Sequence, residues 1–342
     1  MPGPYNGIRT KKGGRITERT GILSLFGGLA LFLFGMDRMS EALQQAAGER
    51  LRRALAALTR TPLTGALAGM VVTAVMQSSS ATTVMVIGFV SAGLLELPQA
   101  VAVIFGANIG TTVTAQLLAF RVEEMLGLVL FGGFFLCAVA RTKRGRQMGT
   151  AVFSFGLLFA GMEQVQSVVE PLALRPEFEA WMAQVREKPL WGLLLGLGMT
   201  LVVQSSSATI GVLQGVARQA GPDGVHSLLG LAGAVPVLLG DNVGTTITAI
   251  LAAAGGTRDA KRAAAAHCCF NLSGSLVCLL ALPWFVRLVE LLPPEGEELE
   301  MIARQIANAH TLFNALCTLI WLPLTPLMVR LVTTLVPEKR TE

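Results

Sequence analysis

The sequence predicts an all-α integral membrane protein made of two inverted structural repeats, each containing a re-entrant helical hairpin. Of the 342 residues, 52% are hydrophobic and only 14% are charged, whereas a soluble domain carries about 25% charged residues. Apolar stretches of the length that a bilayer requires, about 20 residues, recur along the chain. The hexapeptide Gln-Ser-Ser-Ser-Ala-Thr occurs twice, at residues 77–82 and 204–209, and divides an apolar stretch each time.

The chain is expected to run through four parts. A polar, basic tail at 1–20 precedes a first transmembrane repeat at 21–145 and a second at 146–292, and 293–342 hold a final transmembrane helix and a short tail. Long apolar stretches predict crossing helices. These lie at about 21–46, 98–120, 122–140, 147–170, 226–254, 262–292 and 302–335.

Two further apolar stretches, at about 61–95 and 188–220, are expected to be the hairpins. A polar run interrupts each of them, so each apolar piece is only about 13–17 residues long, which is too short to cross a bilayer. Irregular backbone at membrane depth survives only where protein, water or a ligand satisfies its polar groups. We therefore expect two half-helices that meet at a polar tip inside the protein.

Two more pairs of segments indicate that the halves are related. Residues 106–115 and 240–249 both follow the pattern Gly-x-Asn-x-Gly-Thr-Thr-x-Thr-Ala and are identical at seven of ten positions. Upstream, Phe-Gly-Met-Asp at 34–37 resembles Ala-Gly-Met-Glu at 160–163. Three matched segments in the same order indicate internal duplication.

The relative orientation of the halves follows from the number of crossings. With three crossings and a hairpin in the first half, the second half enters the membrane with opposite topology. The basic loops at 50–60, 141–146 and 258–262 then share one side, which the positive-inside rule makes cytoplasmic. The basic N-terminal tail falls on the other side, so the membrane orientation stays open.

The second half-helix of each hairpin begins near the serine run, and this arrangement predicts an anion site. A helix N-terminus has unpaired N–H groups and a partial positive charge, and both favour an anion. One polar run in a membrane helix is more often a packing feature, whereas two identical copies favour binding. The predicted anion-binding residues are Ser78, Ser79, Ser80, Thr82, Ser205, Ser206, Ser207 and Thr209.

The first half-helix of each hairpin ends at the glutamine, where unpaired carbonyl groups predict a cation site. The Gly-x-Asn-x-Gly-Thr-Thr segments add amide and hydroxyl oxygens; their alternative role is a helix crossing in which threonine bonds back to its own helix. Asp241 stands where the first half has Ala107, which suggests a cation or protonation site in one half only. The predicted ligands, for Na⁺ and not for a transition metal, are Gln77, Gln204, Asn108, Thr111, Thr112, Asp241, Asn242, Thr245 and Thr246.

Two carboxylates are left outside this site. Asp37 is interpreted either as a partner of the neighbouring Arg38 or as a functional group. Glu163 takes the matching place in the second half. Their depth in the membrane does not follow from the sequence.

The segment Ala-His-x-x-Phe-Asn also occurs twice, so that His267 and Asn271, like His310 and Asn314, lie four residues apart. Residues with this spacing share one face of a helix. Proton coupling through histidine is one interpretation. Hydrogen bonding between helices is the favoured one, and these residues are left out of the predicted site.

Enzymatic and nucleic-acid functions have no support in the sequence. The serine runs lack a nucleophile elbow, the three histidines form no recognisable triad, and there is no phosphate-binding P-loop. Lysine and arginine cluster between apolar segments, so the net charge of +5 indicates topology and not nucleic-acid binding. The five cysteines have neither metal-ligand nor disulfide spacing. We expect no enzyme and no cofactor.

The paired Gln-Ser-Ser-Ser runs, each followed by Gly-Ala-Asn-Ile-Gly-Thr-Thr or a close variant, resemble those of the type II sodium-dependent phosphate cotransporters. The resemblance covers about residues 21–290. It implies inorganic phosphate as substrate, Na⁺ as coupling ion and the hairpin tips as binding elements. Many bacterial members carry a soluble C-terminal domain that resembles the phosphate regulator PhoU, and this chain is expected to lack one. Asp241 also departs from the Ala-like residue usual at its position.

The leading functional prediction is Na⁺-coupled symport of phosphate by alternating access, in a multi-pass protein of the cell inner (plasma) membrane. The expected partners are phosphate, Na⁺ and the lipid bilayer, without nucleic acid. The alternatives are a carrier for sulfate, arsenate or a dicarboxylate, a phosphate exporter, a non-transporting phosphate sensor and, last, an enzyme acting on lipid phosphates. A homodimer and a separate PhoU-like regulatory partner are left open.

Overall fold

The computed structural model describes residues 8–9, 15–16, 18–59, 61–120, 125–173, 175–221, 223–293 and 296–338, with the backbone alone for 8–9, 15–16, 18–20 and 48–58. Within these residues the chain forms fifteen α-helices and one short antiparallel strand pair, β1 (Ile8–Arg9) with β2 (Arg15–Ile16). The helices are α1 (Glu18–Leu58), α2 (Pro62–Met76), α3 (Ser79–Ser91), α4 (Leu97–Leu118), α5 (Leu126–Val139), α6 (Lys143–Ala173), α7 (Pro176–Glu187), α8 (Pro189–Val203), α9 (Ser206–Ala217), α10 (Gly230–Gly244), α11 (Thr246–Ala253), α12 (Arg258–Leu280), α13 (Leu282–Glu290), α14 (Glu298–Trp321) and α15 (Thr325–Leu335). Most of the predicted tail at 1–20 lies outside the described residues.

The all-α membrane architecture is confirmed. Five helical segments are long and apolar enough to cross a membrane, and α14 with α15 would make a sixth if that bent pair is one span. The five are Gly21–Ala47, Leu97–Leu118, Lys143–Ala173, Gly230–Ala253 and Arg258–Leu280. Large apolar side chains on the outside, such as Phe131, Phe134 and Phe135 of α5, suit a surface that faces lipid.

The crossing helix predicted at 122–140 is shorter than expected. Helix α5 has 14 residues, which at about 1.5 Å per residue gives a length of about 21 Å. The hydrocarbon core of a bilayer is about 30 Å thick. Residues 121–124 lie outside the described part, so the described helix is a short apolar one that packs beside α6.

Two other predicted crossing helices are each broken into two. The stretch at 262–292 forms α12 and α13, which part at Ala281, and the stretch at 302–335 forms α14 and α15, which meet at 87°. Proline is the second residue of each short helix, Pro283 in α13 and Pro326 in α15. Proline has no N–H and its ring collides with the carbonyl four residues earlier, which explains both breaks.

These two broken elements repeat one another. The Ala-His-x-x-Phe-Asn segments at 266–271 and 309–314 are followed by Pro-x-x-Val-Arg-Leu-Val at 283–289 and 326–332, and each pair is 43 residues apart. The division expected at residue 292 therefore falls between two copies of one helical element. The proline-containing segments extend the repeat of Ala-His-x-x-Phe-Asn to the whole broken element.

Helices α4 and α10 lie at the centre of the molecule, with the hairpins against them. In α4, 16 of the 22 residues are buried, and in α10, 12 of the 15. Matched glycines permit the close approach: a Cβ atom at Gly106 would overlap the Ala66 carbonyl of α2, and one at Gly240 would overlap the Leu193 carbonyl of α8. Each hairpin is thereby held against the helix that carries the Gly-x-Asn segment of its own half.

Candidate functional site

Both hairpins break at the glutamine of the hexapeptide. Gln77 and Ser78 separate α2 from α3, and Gln204 and Ser205 separate α8 from α9. The glutamines have φ of 53° and 55°, and no other non-glycine residue among those described has a positive φ. A non-glycine residue in this left-handed region is strained, and the conformation persists only where contacts with the surrounding structure hold it in place. The two breaks are therefore candidates for function.

The first serine of each run caps the helix that follows. The Ser78 hydroxyl accepts a hydrogen bond from the Ala81 N–H at 3.2 Å, and the Ser205 hydroxyl accepts one from the Ala208 N–H at 3.3 Å. The N–H groups before these have no carbonyl partner within their helix. They belong to the second and third serines of each run, so backbone and hydroxyl donors are concentrated at the same point.

Thr82 and Thr209, predicted as anion-binding residues, lie away from the tip. The Thr73 hydroxyl donates to that of Thr82 at 2.9 Å, and the hydroxyl oxygens of Thr200 and Thr209 lie 3.1 Å apart. All four side chains are buried. These bonds link the two half-helices of each hairpin, so the threonines brace the hairpin below the tip.

The two tips meet on one face of α1. The Ser40 hydroxyl donates to the Met76 carbonyl at the first tip, at 2.9 Å, and the Ser205 hydroxyl at the second tip lies 3.6 Å from the Met36 sulfur. Met36 and Ser40 are one turn apart, which is about 6 Å along the helix. Both tips therefore contact neighbouring turns of the same helix.

The last threonine of each Gly-x-Asn segment also reaches the first tip. The Thr114 hydroxyl donates to Gln77 Oε1 at 3.0 Å, and the Thr248 hydroxyl donates to the Ser80 hydroxyl at 3.3 Å. Neither threonine was among the predicted site residues. Their matching positions in the duplicated segment were the signal that could have identified them.

Asp241 is a fully buried carboxylate one helical turn below the second tip. Its Oδ1 accepts a hydrogen bond from the Thr200 hydroxyl at 2.6 Å, whereas its Oδ2 has no partner among the described residues. Ala107 occupies the matching position in the first half. A buried carboxylate oxygen without a partner is costly, so this site suits a cation or a proton.

The remaining predicted cation ligands use their hydrogens within their own helices. Asn108 Nδ2 donates to the Ile104 carbonyl and Asn242 Nδ2 to the Leu238 carbonyl, both at 2.8 Å. The threonines bond back to carbonyls three or four residues earlier, as in the alternative interpretation; these are Thr111, Thr112, Thr245 and Thr246. Each threonine oxygen keeps lone pairs that no hydrogen bond within its own helix uses. The second copy also breaks at Thr245, between α10 and α11, whereas α4 is continuous.

The histidine and asparagine of α12 form the helix-to-helix hydrogen bonds that were favoured for them. His267 Nε2 lies 3.3 Å from Asn108 Oδ1, and Asn271 Nδ2 donates to the same oxygen at 3.4 Å. In the second copy, Asn314 Nδ2 donates to Asn242 Oδ1 at 3.4 Å. These residues lie directly behind the predicted site.

Asp37 and Glu163 are exposed and lie outside the cluster around the tips. Arg38 pairs with Glu41 at 2.7 Å, whereas pairing with Arg38 was one of the two interpretations of Asp37. The matched segments that contain these carboxylates have a packing role, because Gly35 of α1 and the matching glycine of α6 lie against the backbone of the other helix.

The bundle of apolar helices, the two strained tips that meet on α1 and the buried polar groups around them define a multi-pass membrane protein with a polar site between two related halves. A family model described as Na+/Pi-cotransporter matches residues 31–167 and, separately, residues 161–316. The chain therefore belongs to the Na⁺/Pi-cotransporter family. Two matches to one model agree with the internal duplication.

Several curated proteins are similar to this chain. The uncharacterized protein YqeW of Bacillus subtilis is 34% identical over 80% of this chain and 87% of its own length. The candidate inorganic phosphate export protein YjbB of Escherichia coli K12 is 27% identical over 75% of this chain, which corresponds to 46% of YjbB. Sodium-dependent phosphate transport protein 2A of Rattus norvegicus is 38% identical over 28% of this chain and 15% of its own length. No solved structure matches the chain. The family and these names support phosphate transport and not catalysis.

Proposed function

We propose that this protein is a secondary transporter that couples inorganic phosphate to Na⁺ in symport by alternating access. The carrying observation has two parts: the two helix N-termini with serine runs belong to hairpins whose tips contact the same helix, α1, and the second hairpin is bonded to Asp241, a buried carboxylate with one oxygen that has no partner among the described residues. An anion and a cation then neutralise each other at one place. Neither ion alone would suit both groups.

Phosphate is proposed to bind between the two tips. Its oxygens would accept hydrogen bonds from the first free N–H groups of α3 and α9 and from the serine hydroxyls, at the positive ends of both helices. The proposed ligands are Ser78, Ser79, Ser80, Ser205, Ser206 and Ser207. Thr82 and Thr209, which brace the hairpins, are proposed to support them.

Na⁺ is proposed to bind between the glutamines of the tips and the Gly-x-Asn segments of both halves. Asp241 Oδ2 needs a partner, and the carbonyl groups at the end of a half-helix are the usual companions of Na⁺ in transporters with broken helices. The proposed set is Gln77, Gln204, Asn108, Thr111, Thr112, Asp241, Asn242, Thr245 and Thr246. Threonine oxygens whose hydrogens are used within the helix keep lone pairs for an ion, and Asn242 Oδ1, with one donor from α14, keeps one.

A difference in exposure between the tips supports alternating access. Gln77 is 7% exposed, whereas Gln204 is exposed and the preceding Val202 is 85% exposed. A carrier that closes one side at a time needs one covered and one accessible element around its site. We propose that the halves exchange these roles during transport, as inverted repeats in a plasma membrane.

Uptake of radiolabelled phosphate into proteoliposomes tests the proposal. We expect uptake that rises with an inward Na⁺ gradient and falls to the level of empty liposomes when choline replaces Na⁺. Uptake that is equal in Na⁺ and choline, or absent, contradicts the proposal. Unlabelled sulfate, arsenate and a dicarboxylate in excess identify another preferred anion, and binding without flux indicates a sensor.

Phosphate export is the second candidate, and the similarity to YjbB, named for that activity, favours it. Vesicles loaded with labelled phosphate distinguish the two. An exporter releases phosphate without external Na⁺, whereas the proposed symporter releases it only when Na⁺ is present on the side of the phosphate.

A further inference from the structure

The asparagine of each Gly-x-Asn segment is held in one orientation. The amide nitrogens of Asn108 and Asn242 donate to the carbonyls of Ile104 and Leu238 in the preceding turn, both at 2.8 Å. A side-chain amide with its nitrogen fixed in this way must turn its carbonyl oxygen away from that partner. The Oδ1 atoms therefore point towards neighbouring helices.

Those oxygens are met by donors from the two copies of the Ala-His-x-x-Phe-Asn segment. Asn108 Oδ1 lies 3.3 Å from His267 Nε2 and accepts from Asn271 Nδ2 at 3.4 Å, both of α12. Asn242 Oδ1 accepts from Asn314 Nδ2 of α14 at 3.4 Å. Each copy of the Ala-His-x-x-Phe-Asn segment thus contacts the asparagine of the Gly-x-Asn segment in a different half.

The same residues leave polar atoms unsatisfied, which a purely structural contact would avoid. His267 and Asn271 are at most 1% exposed, and so is Asn314. His267 Nδ1, Asn271 Oδ1 and Asn314 Oδ1 have no hydrogen-bond partner among the described residues. Each unsatisfied buried group is destabilising, and apolar residues of similar shape would pack without that cost. A retained polar contact of this kind indicates a role beyond holding helices together.

We propose that His267 and Asn271 of α12, and Asn314 of α14, are positioning residues for the site that binds Na⁺. The inference rests on the proposed function. Two donors of α12 hold Asn108 Oδ1, and one donor of α14 occupies one of the two lone pairs of Asn242 Oδ1, so the orientation of both amides beside the site is set. This is how outer-shell hydrogen bonds orient the ligands of a bound ion.

The test measures phosphate uptake into proteoliposomes as a function of Na⁺ concentration. His267→Leu and Asn271→Ala each remove one donor to Asn108, whereas His267→Gln keeps an N–H donor. Ser275→Ala is the matched control, because Ser275 is also buried in α12 and donates to another helix, at the Leu239 carbonyl. Thermal unfolding of each variant in detergent is recorded in parallel.

We expect His267→Leu and Asn271→Ala to raise the half-activating Na⁺ concentration about fivefold, which is what one buried hydrogen bond is typically worth. The half-saturating phosphate concentration, measured at saturating Na⁺, should change less than about twofold. His267→Gln should restore the wild-type Na⁺ response. Ser275→Ala should lower the unfolding temperature without changing that response.

The inference is overturned if the Na⁺ response of both donor-removing variants is unchanged, if Ser275→Ala changes it equally, or if His267→Gln behaves like His267→Leu. Should His267→Leu fail to fold, Asn271→Ala and Asn314→Ala decide the question. Failure of the proposed function is recognised separately, because wild-type uptake would then already be indifferent to Na⁺.

Discussion

The two hairpin tips contain the same six residues and the same backbone geometry, yet their surroundings differ. The glutamines have φ of 53° and 55°, and a serine caps the following helix in both. Gln77 is buried and accepts a hydrogen bond from Thr114. Gln204 is exposed, beside a valine that is 85% exposed. The glutamine of one tip is covered and that of the other is exposed.

The tips also differ in charge. Thr200 connects the second hairpin to the carboxylate of Asp241, whereas the matching Thr73 bonds to Thr82 and faces a half with Ala107 in place of the carboxylate. The local sequence determines the shape of each tip, because capping and the strained glutamine depend on adjacent residues. Access and charge depend on residues far along the chain.

Asp241→Ala gives the second half the residue of the first, and we expect the largest effect from it. Loss of a charged ligand is worth about 2 kcal/mol, so Na⁺-stimulated phosphate uptake should fall about 30-fold. Thermal unfolding in Na⁺-free buffer should move to higher temperature, because a buried carboxylate with an unpartnered oxygen is removed.

Asp241→Asn is the matched control for this change, because it retains an acceptor for Thr200 and removes only the charge. It should lose Na⁺ stimulation to a similar extent. Normal Na⁺ dependence in either variant would show that the difference between the halves at this position has no role in coupling.

The difference in burial between the tips predicts unequal effects on stability. Gln77→Ala removes a buried amide and leaves Thr114 without its acceptor, which should lower the free energy of unfolding by about 2 kcal/mol. Gln204→Ala changes an exposed side chain and should cost less than about 0.5 kcal/mol. Unfolding in detergent measures the change in the free energy of unfolding for both variants. Equal losses would contradict the interpretation that Gln77 is held by its surroundings and Gln204 is not.

Much of this arrangement follows from the sequence. The polar run inside an apolar stretch predicted breaks near residues 77 and 204, and the helices end there because the serine that follows is a strong N-cap. The bend between α14 and α15 was also predictable, since Pro326 stands 43 residues after Pro283 and proline cannot continue a helix.

The contacts between halves could not be predicted in the same way. Thr248 reaches Ser80 across 168 residues, and Asn271 reaches Asn108 across 163. Such contacts depend on how α1, α4 and α12 pack, and the identical hexapeptides contain no information about which tip is covered. Repeated positions indicate which residues to consider, but only packing shows their partners.

A pair of serine variants tests whether the two tips form one anion site. Ser80→Ala and Ser207→Ala should each raise the phosphate concentration for half-maximal uptake about tenfold, the lower end of what one hydrogen bond to a charged group contributes. Ser154→Ala, a buried serine of α6, is the control and should leave it unchanged. An effect from one tip only would mean that phosphate binds to one half.

The smallest effect is expected in the segment that only the second half contains, between α9 and α10. The N–H groups of Val225 and His226, with the His226 ring 2.6 Å away, lower the pKa of Asp223 to about 2, and Asp223 raises the pKa of His226. The stabilisation from Asp223 is present above its unfolded pKa of about 4 and is lost as the pH falls through its folded pKa. The stabilisation from His226 is present below its unfolded pKa of about 6.5 and is lost as the pH rises through its raised folded pKa.

Asp223→Asn should therefore return the pKa of His226 towards about 6.5. NMR titration can follow this change because His267 and His310 are buried. The pair is exposed and lies outside the tips, so phosphate uptake should keep its pH profile; a shifted profile would mean that this segment influences the accessible tip.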